Sequence, residues 1–264
     1  FNGPAYGSVQ FQNVNQSVRV TDEFMEKAAS NRADARDPEE DTRPQTYDLK
    51  SPATEEALDV SDPAHILEKI AEGTHICGDP GLQFEDRIQE WHTCPNTDQI
   101  NSSNPCSEYM FLDNSACNLA SLNLVKYSAE NGAINVDRLK SAAERFITAQ
   151  EILVTKAGYP SRKIAENSFK FRPLGLGFAN LGALLMRKGL PYDSNEGRSI
   201  ASAITAIMHF SAAAQSARIA RGVGPFEGYK ENQAPFLQVM KKHAARASSI
   251  GDGKFDWASS WKET

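Results

Sequence analysis

Within residues 93–123, the polar crowd at positions 101–107 can form no ordinary core element. The stretch is rich in Asn, Ser, Cys and Pro, and positions 101–107 hold two asparagines, three serines, a proline and Cys106. It has little helical periodicity, so its polar groups must be satisfied locally or by a ligand. Regular patterns resume on either side. The chain therefore has to build a framework of helices and strands that carries a polar loop.

Upstream, Val18-Arg19-Val20 reads as a short strand. Thr21 is placed to cap a helix with Phe24, Met25 and Ala28 on its apolar face. Residues 31–61 are charge-dense and poor in apolar side chains, which predicts a loop, with a hairpin around positions 46–49. Ser61 or Asp62 should cap a helix that has Pro63 in its first turn and buries Ile66, Leu67 and Ile70. Gly78-Asp79-Pro80-Gly81 reads as a turn, and residues 84–91 as a helix.

Downstream, residues 118–124 return to an apolar pattern. Residues 137–157 predict an amphipathic helix with Leu139, Ala142, Ala143, Phe146, Ile147, Ile152 and Leu153 mostly on one side. A short helix is expected at 161–168. Leu174-Gly175-Leu176-Gly177 reads as a strand whose glycines permit close backbone packing, feeding a helix over 179–188. A long helix rich in Ala and Ser follows at 195–221, and a last one at 235–247. No internal repeat is present.

The net charge of −6 argues against a basic nucleic-acid surface. The apolar runs are too short to span a bilayer. Cysteines stand only at 77, 94, 106 and 117, with no CxxC pair, so a zinc ribbon is not expected and no metal ligand is assigned. Low cysteine density without a secretory signal points to a reducing cytoplasm. Cys77 is expected to be a small buried residue and Cys94 a packing residue. His75, His92 and His209 are expected in the core or at the surface.

Within the polar stretch, Asn104, Cys106 and Glu108 occupy alternate positions. In an extended backbone they would share one face, offering a ligand an amide, a thiol and a carboxylate together. Pro105 restricts the backbone just before the thiol. Three chemistries suit the triplet. The thiol could be a nucleophile with a base, His92 being the nearest imidazole in sequence. It could ligate a metal, although one thiolate with an amide and a carboxylate matches common metal preferences poorly. It could also exchange a hydrogen atom as a radical. A polar loop with an incidental cysteine is the fourth alternative, and the residues alone leave all four open.

The segment Asn104-Pro105-Cys106-Ser107-Glu108, with Cys117-Asn118-Leu119-Ala120-Ser121-Leu122-Asn123-Leu124 after it, resembles the active-site loop of ribonucleotide reductases. Trp91-His92-Thr93-Cys94-Pro95, Cys77-Gly78-Asp79-Pro80-Gly81, residues 17–25 and residues 172–178 are similar to the same family. The likeness covers residues 1–246, is weak in the charged loop 31–61, and leaves 247–264 as a tail of unknown role. It implies a helix-rich α/β fold, part of a ten-stranded α/β barrel with the loop as its central finger. The short gap from Cys106 to Cys117, and Tyr-Met-Phe-Leu-Asp within it, resemble the adenosylcobalamin-dependent class. A metal-radical class needing a separate radical subunit, or a noncatalytic nucleotide-binding or assembly fragment, are the alternatives.

The resemblance implies roles by position. Cys106 would be the thiyl radical that removes the 3′ hydrogen of a ribonucleoside di- or triphosphate. Glu108 would act as general base on the 3′ hydroxyl, from a site partly removed from water, and Asn104 would orient the ribose hydroxyls. Cys117 would be one of two reducing thiols, re-reduced by a thioredoxin-like dithiol. Gln10, Gln12 and Asn13 would lie in the loop that relays an effector deoxynucleotide's signal in a homodimer. An interior fragment is implied, with the second redox cysteine upstream and the phosphate-binding turn downstream, so catalysis by this segment alone is not expected.

Overall fold

The computed structural model describes residues 6–8, 10, 14–32, 44–51 and 53–250. They divide into two compact units, one of Phe1–Trp91 with Ile100–Met110, the other of His92–Gln99 with Phe111–Thr264.

In the first unit, strand β1 (Ser17–Val20) leads into helix α1 (Asp22–Asn31). Thr21 caps that helix, its hydroxyl accepting from the Phe24 N–H at 3.2 Å. A hairpin follows, β2 (Tyr47–Lys50) with β3 (Ala57–Ser61), and then helix α2 (Pro63–Cys77). Asp62 accepts from the Ala64 N–H at the start of α2, and Gly78, left-handed at φ 83°, ends it. The chain returns as β4 (Gly81–Phe84), which pairs parallel with β1, and continues into α3 (Glu85–Glu90). Val20, Phe24 and Ala28 form the core, with Ile66, Leu67, Leu82 and Tyr47 packed on them.

Two expectations change here. Strand β4 occupies residues expected to run from a turn straight into a helix. Its four residues carry no clear period of their own, and the pairing partner β1 decides their conformation. Cys77 is exposed rather than buried, because it lies in the last turn of α2, where its thiol donates to the carbonyls of Gly73 and Asp79.

The second unit is built on β5 (Asn118–Asn123) and β6 (Leu174–Ala179), parallel and in register Leu119↔Gly175 and Leu122↔Phe178. Their crossover carries helices α4 (Val136–Lys156) and α5 (Arg162–Phe171), and α6 (Leu181–Arg187), α7 (Asn195–Val223) and α8 (Tyr229–Ser248) follow. The buried stripe of α4 is Leu139, Ala143, Ile147, Gln150 and Val154. Those positions keep the i, i+4, i+8, i+11, i+15 spacing of a single helix face. Phe146, Ile152 and Leu153, expected inside, are 41%, 59% and 51% exposed, Phe146 and Leu153 standing at the edge of that face and Ile152 on the far side of the helix. Leu122, Leu124, Leu184, Leu185, Ile200, Ile204 and Ile207 complete the main core.

Helix α8 begins at Tyr229, ahead of the expected start at 235, and contains Pro235. A proline inside a helix leaves the carbonyl four residues back without its N–H partner. That carbonyl is Glu231, and the Asn96 side chain donates to it at 2.8 Å. Asn232, fully buried, adds bonds to Thr97 and to the Asn96 N–H, so loop side chains hold the first turn where the proline cannot.

The described residues form three two-stranded sheets and no closed barrel. The architecture is α/β and helix-rich. None of the described helices is long and apolar enough to cross a membrane.

Candidate active site

Residues 103–110 form a hairpin tip, with Ser103 bridged to Met110 in antiparallel fashion. Asn104-Pro105-Cys106-Ser107 is a β-turn closed by the Ser107 N–H donating to the Asn104 carbonyl at 3.1 Å. Asn at the first position and Pro at the second are the residues such a turn favours. Cys106 sits at the corner and is exposed. Glu108 is exposed as well, so no residue of this unit removes its carboxylate from water.

The extended backbone assumed for positions 104–108 is therefore absent. The chain reverses between Asn104 and Ser107, and the triplet is gathered at a turn rather than along one face of a strand. Asn104 takes part in the turn itself. Its Oδ1 accepts from the Tyr109 N–H at 3.0 Å, which leaves Nδ2 as the donor that can face a ligand.

Ser107 has φ 63°, in the left-handed region that non-glycine residues seldom occupy. Such a conformation persists where neighbours over-determine it. The neighbour is Gln83 of β4, a buried side chain whose Nε2 donates to Ser103 Oγ at 2.7 Å and Ser107 Oγ at 2.9 Å. Its Oε1 in turn accepts from Arg19 Nε and Nη2. Arg19 also donates to the Ile100 carbonyl at 2.7 Å and pairs with Glu85 at 3.0 Å. Gln89 brackets Ile100 from the other side, donating to its carbonyl and accepting from its N–H.

Cys117, half-buried, belongs to the second unit, just ahead of β5. Its flanks are fixed. The Ala116 N–H donates to Ser168 Oγ, and Asn118 is clasped by Gln150, which donates from Nε2 to the carbonyls of Asn118 at 2.7 Å and Gly175 at 2.6 Å. A Cβ at Gly175 would stand 2.6 Å from Cys117 Sγ, so the glycine makes room for the sulfur.

The remaining groups narrow the chemistry. His92 is buried, its Nε2 bonded to the Asp98 carbonyl at 2.8 Å and its Nδ1 accepting from the Cys94 N–H. Burial also holds its pKa below the ordinary histidine value. A neutral imidazole with both nitrogens engaged cannot serve Cys106 as a base. Cys94 packs with Leu112 and Phe171, and burial pushes its thiol pKa up, which makes it inert. Among the described residues no group of three His, Cys, Asp or Glu side chains could hold a metal. Gln10 lies on an exposed turn, while Gln12 and Asn13, like 251–264 of the tail, fall outside the described residues.

Arg19, Gln83, Gln150 and Ser168 were not singled out from sequence. Gln150 could have been found, as a polar residue in the apolar stripe of α4. Gln83 lies in a strand too short to show a pattern.

A helix-rich α/β scaffold that commits buried amides to fixing the surroundings of two thiols is suited to sulfur chemistry. The chain belongs to the family of the ribonucleotide reductase barrel domain, whose model matches residues 5–263. It is similar to the vitamin B12-dependent ribonucleotide reductase of Rhodopirellula baltica, 49% identical over 252 residues, 96% of this chain and 23% of that protein. The vitamin B12-dependent ribonucleotide reductase of Streptomyces clavuligerus is 46% identical over 90% of this chain and 24% of its own length. The vitamin B12-dependent ribonucleoside-diphosphate reductase of Mycobacterium tuberculosis is 29% identical over 89% of this chain and 32% of its own length. The chain thus spans about a quarter of the length of the first two relatives.

Proposed function

We propose that this segment supplies the radical-bearing thiol and one reducing thiol of an adenosylcobalamin-dependent ribonucleotide reductase. The observation that carries the proposal is Cys106, exposed at the corner of a braced turn between Asn104 and Glu108, with His92 engaged elsewhere. A nucleophile without a base is poorly served there. A sulfur that exchanges a hydrogen atom needs position and access, which the turn provides.

In this reading Cys106, as a thiyl radical, takes the hydrogen atom from C3′ and becomes a thiol. Glu108 accepts the 3′ hydroxyl proton, and Asn104 Nδ2 donates to a ribose hydroxyl. The 2′ hydroxyl leaves as water. Two electrons and two protons come from Cys117 and a second thiol, which close to a disulfide, and Cys106 returns its hydrogen to C3′. Net, one ribonucleotide and one dithiol become a deoxyribonucleotide, a disulfide and water. A thioredoxin-like dithiol then reopens the disulfide.

Adenosylcobalamin brings its own cobalt and ring and, when bound, supplies the radical that starts the cycle. The exposed Cys106 would be accessible to such a group. Two parallel strand pairs, β1 with β4 and β5 with β6, fit a larger sheet, because parallel strands are normally covered on both faces. Leu119, Ile152 and Leu153 are all more than half exposed, which also suits residues 1–246 as one part of a ten-stranded barrel. Gln10, Gln12 and Asn13 would belong to the loop that reads an effector deoxynucleotide.

The test is a full-length reductase carrying this segment, made by placing it in the matching stretch of the Rhodopirellula baltica relative. With ribonucleotide, adenosylcobalamin and a dithiol it should form deoxynucleotide, and Cys106→Ala should abolish that. Activity that survives the substitution removes Cys106 from the mechanism.

A further inference from the structure

We propose that Gln83 is a positioning residue for Cys106, acting through the two serines that flank the turn. The inference rests on the function proposed above. Gln83 is 6% exposed and all of its hydrogen-bonding capacity faces inward. Its oxygen accepts twice from Arg19, and its nitrogen donates once to Ser103 and once to Ser107. Those serines stand on either side of Asn104, Pro105 and Cys106. Gln83 thus ties both legs of the turn to β4, and Arg19 ties β4 to β1.

The present partners set the polarity of the arrangement. Ser103 Oγ donates its one hydrogen to the Asn104 carbonyl at 2.8 Å, so toward Gln83 it can only accept. A glutamate at 83 would keep the acceptors for Arg19 and would gain charge complementarity with it. It would also remove both donated hydrogens, so Ser103 Oγ and Ser107 Oγ could stay bonded to residue 83 only as donors, Ser103 by giving up its bond to the Asn104 carbonyl. Gln83→Glu therefore retains the strand and loosens the turn. Ser107, at φ 63°, then loses the donated bond that helps hold it left-handed. A thiol that must stand close to a C3′ hydrogen would lose its register, while the groups that bind nucleotide phosphates and base would be untouched.

The experiment compares the full-length reductase carrying this segment with its Gln83→Glu and Ser103→Ala/Ser107→Ala variants and with the combination of both. Turnover of Gln83→Glu should fall by about 10- to 100-fold with KM changed less than about twofold. The isotope effect on kcat with a 3′-deuterated ribonucleotide should rise, which a mere loss of folded enzyme cannot produce. The serine variant should show the same pattern, and the combination should be no slower than either alone, because all three act through the same two bonds. Hydrogen exchange of residues 100–110 should quicken about tenfold in Gln83→Glu, with or without activity. Unchanged exchange overturns the positioning role directly. Unchanged turnover and isotope effect in an active enzyme overturn its link to Cys106. A parent enzyme without Cys106-dependent reduction, alongside quickened exchange, overturns the proposed function and leaves Gln83 a brace of the turn alone.

Discussion

Replacing Gly175 by Ala probes how the Cys117 thiol is seated. The added Cβ would lie 2.6 Å from Cys117 Sγ and 3.0 Å from Leu119 Cδ1. The first distance is about 1 Å inside ordinary contact, so either the sulfur rotates away or β5 and β6 separate. Overpacking of this kind costs about 1–3 kcal/mol. The same strand supplies its own control, because a Cβ at Gly177 would meet only Ser121 Oγ at 3.6 Å. Gly177→Ala should be neutral or stabilise by about 0.4–1 kcal/mol through the unfolded chain. The two variants should therefore differ by about 1–4 kcal/mol, with Gly175→Ala showing the lower apparent Tm in thermal unfolding of the full-length reductase carrying this segment. Cys117→Ala should recover much of the Gly175→Ala loss in a double-mutant cycle, since it removes the colliding atom. Equal Tm values for the two alanine variants, or a loss that Cys117→Ala leaves intact, would refute the argument that Gly175 is there for the sulfur.

Other perturbations test the framework. Arg172, left-handed at φ 49°, bonds the Glu151 carbonyl and Thr155 and pairs with the Glu151 carboxylate. Arg172→Gly relieves the backbone but breaks all three, so urea unfolding should still show a net loss of about 1 kcal/mol, and a gain would show that the pair contributes nothing. Ser194→Ala removes the hydroxyl that accepts from the Gly197 N–H at 3.0 Å and should cost about 1 kcal/mol in the same measurement. Burial holds His209 and His243 below the ordinary histidine pKa, and for His209 the facing His243 adds to it. With folded values depressed, the unfolded chain binds more protons, so stability is full above about pH 6.5 and falls as pH drops through that value. Apparent Tm should decline on acidification and decline less in His209→Phe, and identical slopes would exclude His209 as the source.

Local structure was legible where residues carry their own signal. Thr21, Asp62 with Pro63, and Gly78 mark helix ends by their chemistry, and each does what that chemistry predicts. The Asn-Pro-Cys-Ser segment was legible as special, but its geometry was not. A turn and a strand both accommodate alternate polar residues, and the hydrogen bonds that decide between them come from Gln83, twenty residues upstream of Ser103. The start of α8 was hidden for the same reason. Pro235 argues locally for a helix beginning there, while Asn96 and Asn232 supply from elsewhere the bonds that let it begin at Tyr229. The face of α4 was drawn too wide, taking in Phe146 and Leu153 at its edge and Ile152 on its far side. Gln150 belongs to the buried stripe because its amide has two backbone carbonyls to meet there.

The cysteines show how one side chain is given different tasks by its surroundings. Cys94 is enclosed by Leu112 and Phe171, where the thiolate is disfavoured and no substrate can reach. Cys77 is exposed, yet its thiol is directed back at the carbonyls of Gly73 and Asp79 in its own helix end. Cys117 is held by backbone geometry, with a glycine opposite and a buried glutamine fixing the residue beside it. Cys106 is held by side chains instead, through serines whose hydroxyls are oriented from the strand beneath. Braces made of side chains can be altered one at a time without disturbing the strand, which is why Gln83→Glu separates the placement of the thiol from the stability of the fold. Had the turn been fixed by its backbone bonds alone, the polarity of residue 83 would be irrelevant to it, and the glutamate variant would exchange and react like the parent.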